Sequence, residues 1–253
     1  MKHRIGKVAR WNLVALSVLL AGAVGGCARA EGGPRPETGV QEAREMVVLL
    51  HGLGRSKSAM RRLASRLELA GYAVERIGYR SLDVPPAAIL RNVAEQIDEC
   101  CAGGGSTVHF VGHSFGGLLI RAYLEGQPIA NLGRVVLIGT PNQGTPLVDH
   151  IRGRWWSKYA GETALALGTG PGSFPASLSP PYYPVGIIAG VYEGFDNEEF
   201  MPGRDDGLVP VESTKLEGMT DFIVVATSHS RMRSNEDVTR QTLSFLEHGR
   251  FAR

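Results

Sequence analysis

From Met46 onward, short uninterrupted apolar runs alternate with segments whose apolar residues return every three or four positions. Residues 46–50 form the first run, and Met60, Leu63, Ala64 and Leu67 then recur at helical spacing until Gly71. The same alternation continues with a run at 73–79, a helical face of Ile89, Leu90, Val93, Ala94 and Ile97, and a run at 108–111. A helix over 116–125, runs at 134–138, 185–189 and 222–225, and a last helix over 236–247 complete it. A strand buried on both faces has no polar side to show, so such runs read as strands of a parallel sheet and the amphipathic segments as its covering layers. The expectation is an α/β fold: one domain over 46–253, a mostly parallel sheet of about six strands, and helices on both faces.

The residues before this domain read as an address. Lys2, Arg4, Lys7 and Arg10 precede an uncharged apolar run from 11 to 26, which is short of the roughly 20 residues that span a bilayer. Residues 1–26 are expected to be a signal peptide of lipoprotein type, because Val24-Gly25-Gly26-Cys27 resembles the site at which a bacterial lipoprotein is cleaved and its cysteine acylated. Cys27 is then the lipid attachment point and the protein is exported and tethered to a membrane; plain secretion is the alternative. Residues 27–45, rich in Gly, Pro and charge without periodicity, read as a flexible tether. Cys100 and Cys101 close a helix and read as buried thiols, since neighbouring cysteines rarely bridge each other. With 27 Lys and Arg against 25 Asp and Glu, there is no basic excess for a nucleic-acid partner. Residues 147–184 interrupt the strand and helix rhythm with Trp155, Trp156, Tyr159, Phe174, Tyr182 and Tyr183, and form a candidate cap over a ligand cleft.

Gly112-His113-Ser114-Phe115-Gly116 joins an apolar strand to a helix. Small residues on either side allow a tight turn that pushes one serine into the open, the G-x-S-x-G elbow. With 33 glycines in 253 residues the pattern alone is weak, so its setting between strand and helix carries the weight. A serine hydroxyl needs a base to take its proton and an acid to orient that base. Of the downstream histidines, His150 precedes the insertion and His248 ends the last helix, whereas His229 follows a strand, where a loop reaches a site at the sheet's carboxyl edge. Asp205 and Asp206 compete for the acid, with Asp196 a distant third. An oxyanion needs two backbone donors, for which Phe115, after the serine, and Leu53, in the glycine-flanked loop after the first strand, are suited.

Taken together, these segments resemble the bacterial lipase and esterase branch of the α/β-hydrolases. Val47 to Gly54 is similar to that family's oxyanion strand and loop, Gly112 to Gly117 to its elbow, Gly139 to Pro146 to the segment after the next strand, and Asp206 to Val209 to its acid loop. The resemblance spans residues 46–247 and implies Ser114, Asp206 and His229 as catalytic residues of a carboxylic-ester hydrolase acting on an ester or lipid substrate. An acyltransferase on the same residues and a catalytically idle binding protein are the alternatives. In the calcium-dependent members an aspartate two residues past the histidine helps hold the ion; here that residue is Arg231. No metal and no cofactor are expected. With only the tether before Met46, the first strands of the full fold are expected to be absent and the sheet to have about six.

Overall fold

The computed structural model describes residues 44–253 apart from 83, 102–104, 156, 195–197 and 202, and without the side chain of Lys158. The expected signal peptide, nearly all of the tether, Cys27, Trp156 and Asp196 lie outside the described residues. Among those described, no helix is long and apolar enough to cross a membrane.

Six strands form one sheet, β1 (Met46–Leu50), β2 (Ala73–Ile77), β3 (Val108–His113), β4 (Leu132–Ile138), β5 (Val185–Val191) and β6 (Asp221–Ala226). Their order across the sheet is β2-β1-β3-β4-β5-β6, and every neighbouring pair is parallel. The single mostly parallel domain expected from the apolar runs is therefore present. Strand β3 explains why the pattern was readable: all six of its residues are buried, because helices cover it from both sides.

Among the described residues seven α-helices accompany the sheet: α1 (Arg61–Leu69), α2 (Pro86–Cys101), α3 (Phe115–Gly126), α4 (Pro146–Ile151), α5 (Glu162–Leu165), α6 (Val211–Thr214) and α7 (Glu236–His248). On one face Ile89, Val93 and Ile97 of α2 and Leu118, Leu119 and Tyr123 of α3 pack with Val48, Leu50, Phe110, Val135 and Ile187. On the other, Leu63, Ala64 and Leu67 of α1 and Val238, Phe245 and Leu246 of α7 pack with Val47, Leu49, Val111, Val136 and Ile188. Each valine, leucine, isoleucine or phenylalanine side chain so removed from water stabilises the fold by about 1.5–3 kcal/mol before entropy is counted. Helix α7 is bounded as its sequence dictates: the Asn235 side chain accepts from the Val238 amide at 3.0 Å, and Gly249 ends it in the left-handed region at φ 71°.

Two local expectations change. Cys100 and Cys101 are half-buried, packed against the core from the end of α2, where a helix terminus meets the surface. The run at 73–79 is a strand only to Ile77; beyond it Tyr79 stacks on His51, with ring centroids 4.0 Å apart.

Strand order reverses between β1 and β3. From β1 the chain goes out to β2 on one side and returns to β3 on the other, leaving a crevice beyond the carboxyl ends of β1 and β3, the place where open parallel sheets bind ligands. The loop of His51, Gly52, Leu53 and Gly54 leaves β1 there, and Ser114 follows β3.

Candidate active site

Ser114 links β3 directly to α3, at φ 57° and ψ −126°, and is alone among the described non-glycine residues in having positive φ. Such a backbone costs of order 1–3 kcal/mol and persists only where the surroundings enforce it. Here they do. The Ser114 amide donates to the Ile138 carbonyl at 2.8 Å, fixing the turn to the end of β4. Added β-carbons would stand 2.6 Å from the Gly117 backbone at Gly112, 2.5 Å from the Leu50 carbonyl oxygen at Gly116 and 2.0 Å from Thr140 Oγ1 at Gly117. Glycine at these positions lets α3 drop onto β1 and β4 and forces the serine outward.

His229 lies in the loop after β6, and its amide donates to the Asp206 carbonyl at 2.8 Å. Its Nε2 is 2.9 Å from Ser114 Oγ and its Nδ1 is 2.7 Å from Asp206 Oδ2. A carboxylate can only accept, so Nδ1 carries the proton and Nε2 presents its lone pair to the serine hydroxyl. All three residues are buried, Asp206 almost completely. The second Asp206 oxygen accepts from the Leu208 and Val209 amides at 3.0 and 2.8 Å, so its carboxylate is held on both sides. Asp205 turns elsewhere: its Oδ1 accepts from the Gly207 amide at 2.6 Å, and its backbone bridges to Pro210 and Tyr192. Of the two aspartates, it is Asp206 that reaches His229. His150 is exposed and stacked on Phe200, and His248 is exposed at the end of α7.

Several supporting residues carry no motif. His113, the last residue of β3, donates through Nε2 to the His229 carbonyl at 2.9 Å, and its ring lies 4.9 Å from that of His229. Its Nδ1 has no partner among the described residues. Burial, aided by the neighbouring His229, pushes its pKa well below the ordinary value, so it stays neutral and braces the loop without adding charge. Burial likewise lowers the pKa of His51, whose Nδ1 donates to the Gly52 carbonyl at 2.9 Å. Gly139 and Gly190 must be small, since added β-carbons would sit 2.8 Å from Met232 Sδ and 2.8 Å from the Asp206 β-carbon. A strand-end glycine before a polar loop was the available signal for these two. Nothing in the sequence pattern marked His113.

A cavity of about 180 Å³ opens beside Ser114 and His229, and Leu53 and Gly52 form part of its wall. The Leu53 and Phe115 amides donate to no acceptor among the described residues. Leu147, Val148, Ala164 and Leu167, from the interruption of the strand rhythm, supply its apolar side. The described aromatic residues of that segment do not. Phe174 packs beside Phe115 with centroids 6.1 Å apart, and Trp155 and Tyr159 are 80% and 76% exposed. The far end of the segment is fastened to α3, where buried Arg121 donates to the Leu178 and Ser179 carbonyls at 3.1 and 3.3 Å and Glu125 accepts from Ser179 Oγ at 2.6 Å. Arg231, at the position where the calcium-dependent members carry an aspartate, is exposed. Among the described residues no group of three or more His, Cys, Asp or Glu side chains is arranged to hold a metal.

Residues 47–237 match the alpha/beta hydrolase family. The chain belongs to that family. The fold is shared with the mature lipase BlEst2 of Bacillus licheniformis at 19% identity and a TM-score of 0.66, over 82% of this chain and 93% of the other. A metagenomic carboxyl esterase aligns at 18% identity and a TM-score of 0.56, over 79% of this hydrolase and 70% of its own length. Phospholipase PlaB from Legionella pneumophila aligns at 17% identity and a TM-score of 0.54, over 74% of this chain but 53% of PlaB. No curated protein matches in sequence.

Proposed function

We propose that this α/β-hydrolase is a serine carboxylic-ester hydrolase of lipase or esterase type. One observation carries the reading: the hydrogen-bonded line from Ser114 Oγ through His229 to Asp206, at 2.9 and 2.7 Å, with the serine on a strained strand-to-helix turn. In the mechanism this supports, Ser114 Oγ attacks the ester carbonyl as His229 Nε2 takes its proton. Asp206 holds the imidazole in the required tautomer and balances the imidazolium. The carbonyl oxygen becomes an alkoxide facing the Leu53 and Phe115 amides, at the positive end of α3. Collapse breaks the bond to the alcohol, which leaves with the proton from His229. Water then adds to the acyl-enzyme with His229 again as base, freeing the acid and Ser114. The apolar wall of Leu147, Val148, Ala164 and Leu167 receives the acyl chain.

The test is a chain-length series of p-nitrophenyl esters with purified protein. A cavity of about 180 Å³ is small against the roughly 300 Å³ lower end of ligand pockets. Butanoate and hexanoate should therefore turn over faster than palmitate, and Ser114→Ala should lose at least about a thousandfold in kcat while remaining folded. Comparable turnover by the folded Ser114→Ala protein would overturn the reading. The membrane partner is a separate proposal resting on the N-terminal sequence: acylation of Cys27, for which the mature N-terminus by mass spectrometry is decisive.

A further inference from the structure

The wall of the cavity beside Ser114 combines apolar residues with two arginines, Arg55 from the loop after β1 and Arg233 from the turn that follows His229. No aspartate or glutamate lines the cavity among the described residues, and neither arginine forms a salt bridge to one of them. The two lie close enough for their charges to interact: burial first, then the positive charge of Arg55, pushes the Arg233 guanidinium below its ordinary pKa. Both charges also reach His113. Arg233 is half-buried, and its guanidinium makes one hydrogen bond to a described residue, from Nη1 to the Ser230 carbonyl at 2.6 Å. Two like charges held together at a largely apolar cleft repel each other, a cost that an anion placed between them removes. Guanidinium groups meet phosphate or carboxylate oxygens through paired, charge-assisted hydrogen bonds.

Resting on the ester-hydrolase reading, we propose that Arg55 and Arg233 form an anion subsite for the alcohol half of the substrate. The side is set by proton transfer: His229 Nε2 must protonate the departing alcohol, so the alcohol lies over His229, next to the turn that carries Arg233. The acyl chain then lies against Leu147, Val148, Ala164 and Leu167. The preferred substrates are esters whose alcohol carries a phosphate or a carboxylate, and a neutral ester fills the same cavity without satisfying the arginines.

Three soluble esters with one acyl group test this: 1-butanoylglycerol, 1-butanoylglycerol 3-phosphate and the butanoate ester of glycolate. For the native protein kcat/KM should be roughly 10- to 100-fold higher for the anionic esters than for the neutral one, the range lost with a charge-assisted hydrogen bond. Preference for both anions supports a general anion subsite, and preference for the phosphate alone supports a phosphate subsite. Arg233→Glu and Arg55→Glu should each bring the anionic-to-neutral ratio below one, a reversal that a packing defect would not produce. Arg55 makes no side-chain hydrogen bond to a described residue, so its variant keeps the test alive if Arg233→Glu fails to fold. An equal or lower rate with the anionic esters, while 1-butanoylglycerol is hydrolysed, would overturn the subsite and leave the hydrolase standing. Failure to hydrolyse any ester, with no labelling of Ser114 by a fluorophosphonate, would overturn both.

Discussion

Ser114 holds backbone angles that disfavour every residue except glycine, and this separates its chemical role from its structural cost. Ser114→Gly and Ser114→Ala both remove the hydroxyl bonded to His229, but only glycine relaxes the turn. After its larger loss of chain entropy is subtracted, Ser114→Gly should be about 1 kcal/mol more stable than Ser114→Ala, visible as a melting temperature higher by about 2–4 °C. Equal melting temperatures would mean that the turn stores no strain. The aspartates divide in a second way. Asp206→Asn puts a donor or a weaker acceptor opposite His229 Nδ1, so kcat should fall about a thousandfold or more. Asp205→Asn keeps an oxygen for the Gly207 amide and should retain most turnover. Rates of the two folded variants check this, and the reverse ranking would move the acid. At this scale the pairing of Ser114 with His229 was legible as a serine in a strand-to-helix turn and a histidine after a later strand. The choice between Asp205 and Asp206 was not legible from the residues, because it depends on which carboxylate the Leu208 and Val209 amides hold. Arg55, Arg233 and His113 follow no spacing rule and become significant only through the loops that bring them together.

Between elements, the decisive contact is α3 against the ends of β1 and β4. Gly116→Ala would press a methyl group onto the Leu50 carbonyl, a backbone atom with nowhere to move. Gly117→Ala instead meets the Thr140 side chain. Each should destabilise by about 1–3 kcal/mol, and adding Thr140→Ala should recover part of the loss for Gly117→Ala but none for Gly116→Ala. Urea denaturation of the single and double variants measures that difference. Additive effects in the Gly117→Ala and Thr140→Ala pair would contradict the contact. The six strands and the four long helices were readable because each repeats one burial pattern over several residues. Helices α4, α5 and α6 were not, since four to six residues give no period, and their position is set by tertiary ties such as Thr145 Oγ1 to the Leu208 carbonyl at 2.7 Å. The interruption at 147–184 read as one aromatic unit, yet it divides into a part that walls the cavity, a part that packs under α3 and a part exposed to solvent.

For the molecule as a whole, His51, His109 and His113 are buried, and burial lowers each pKa below its ordinary value near 6.5. Their folded values lie below their unfolded ones, so within that gap the unfolded chain binds more protons. Stability is intact above about pH 6.5 and lost as the pH falls through 6.5 toward the lowered values, by at most about 1.4 kcal/mol per pH unit for each histidine. Unfolding free energies at pH 7.5, 6.5 and 5.5 should decrease in that order, and a value that rises toward pH 5.5 would contradict neutral burial. The strand order has a consequence in time. Ser114 owes its turn to β1, β3 and β4, all made in the first half of the domain, whereas Asp206 and His229 are delivered by loops around β5 and β6. A ribosome that has released the chain as far as β4 has already made the partners that bend the serine outward, but not His229, the base of the proposed mechanism. Pairing β6 with β5 closes that gap, so on the proposed ester-hydrolase reading reactivity would switch on only when the last strand docks, and unfinished chains would be harmless to the esters around them.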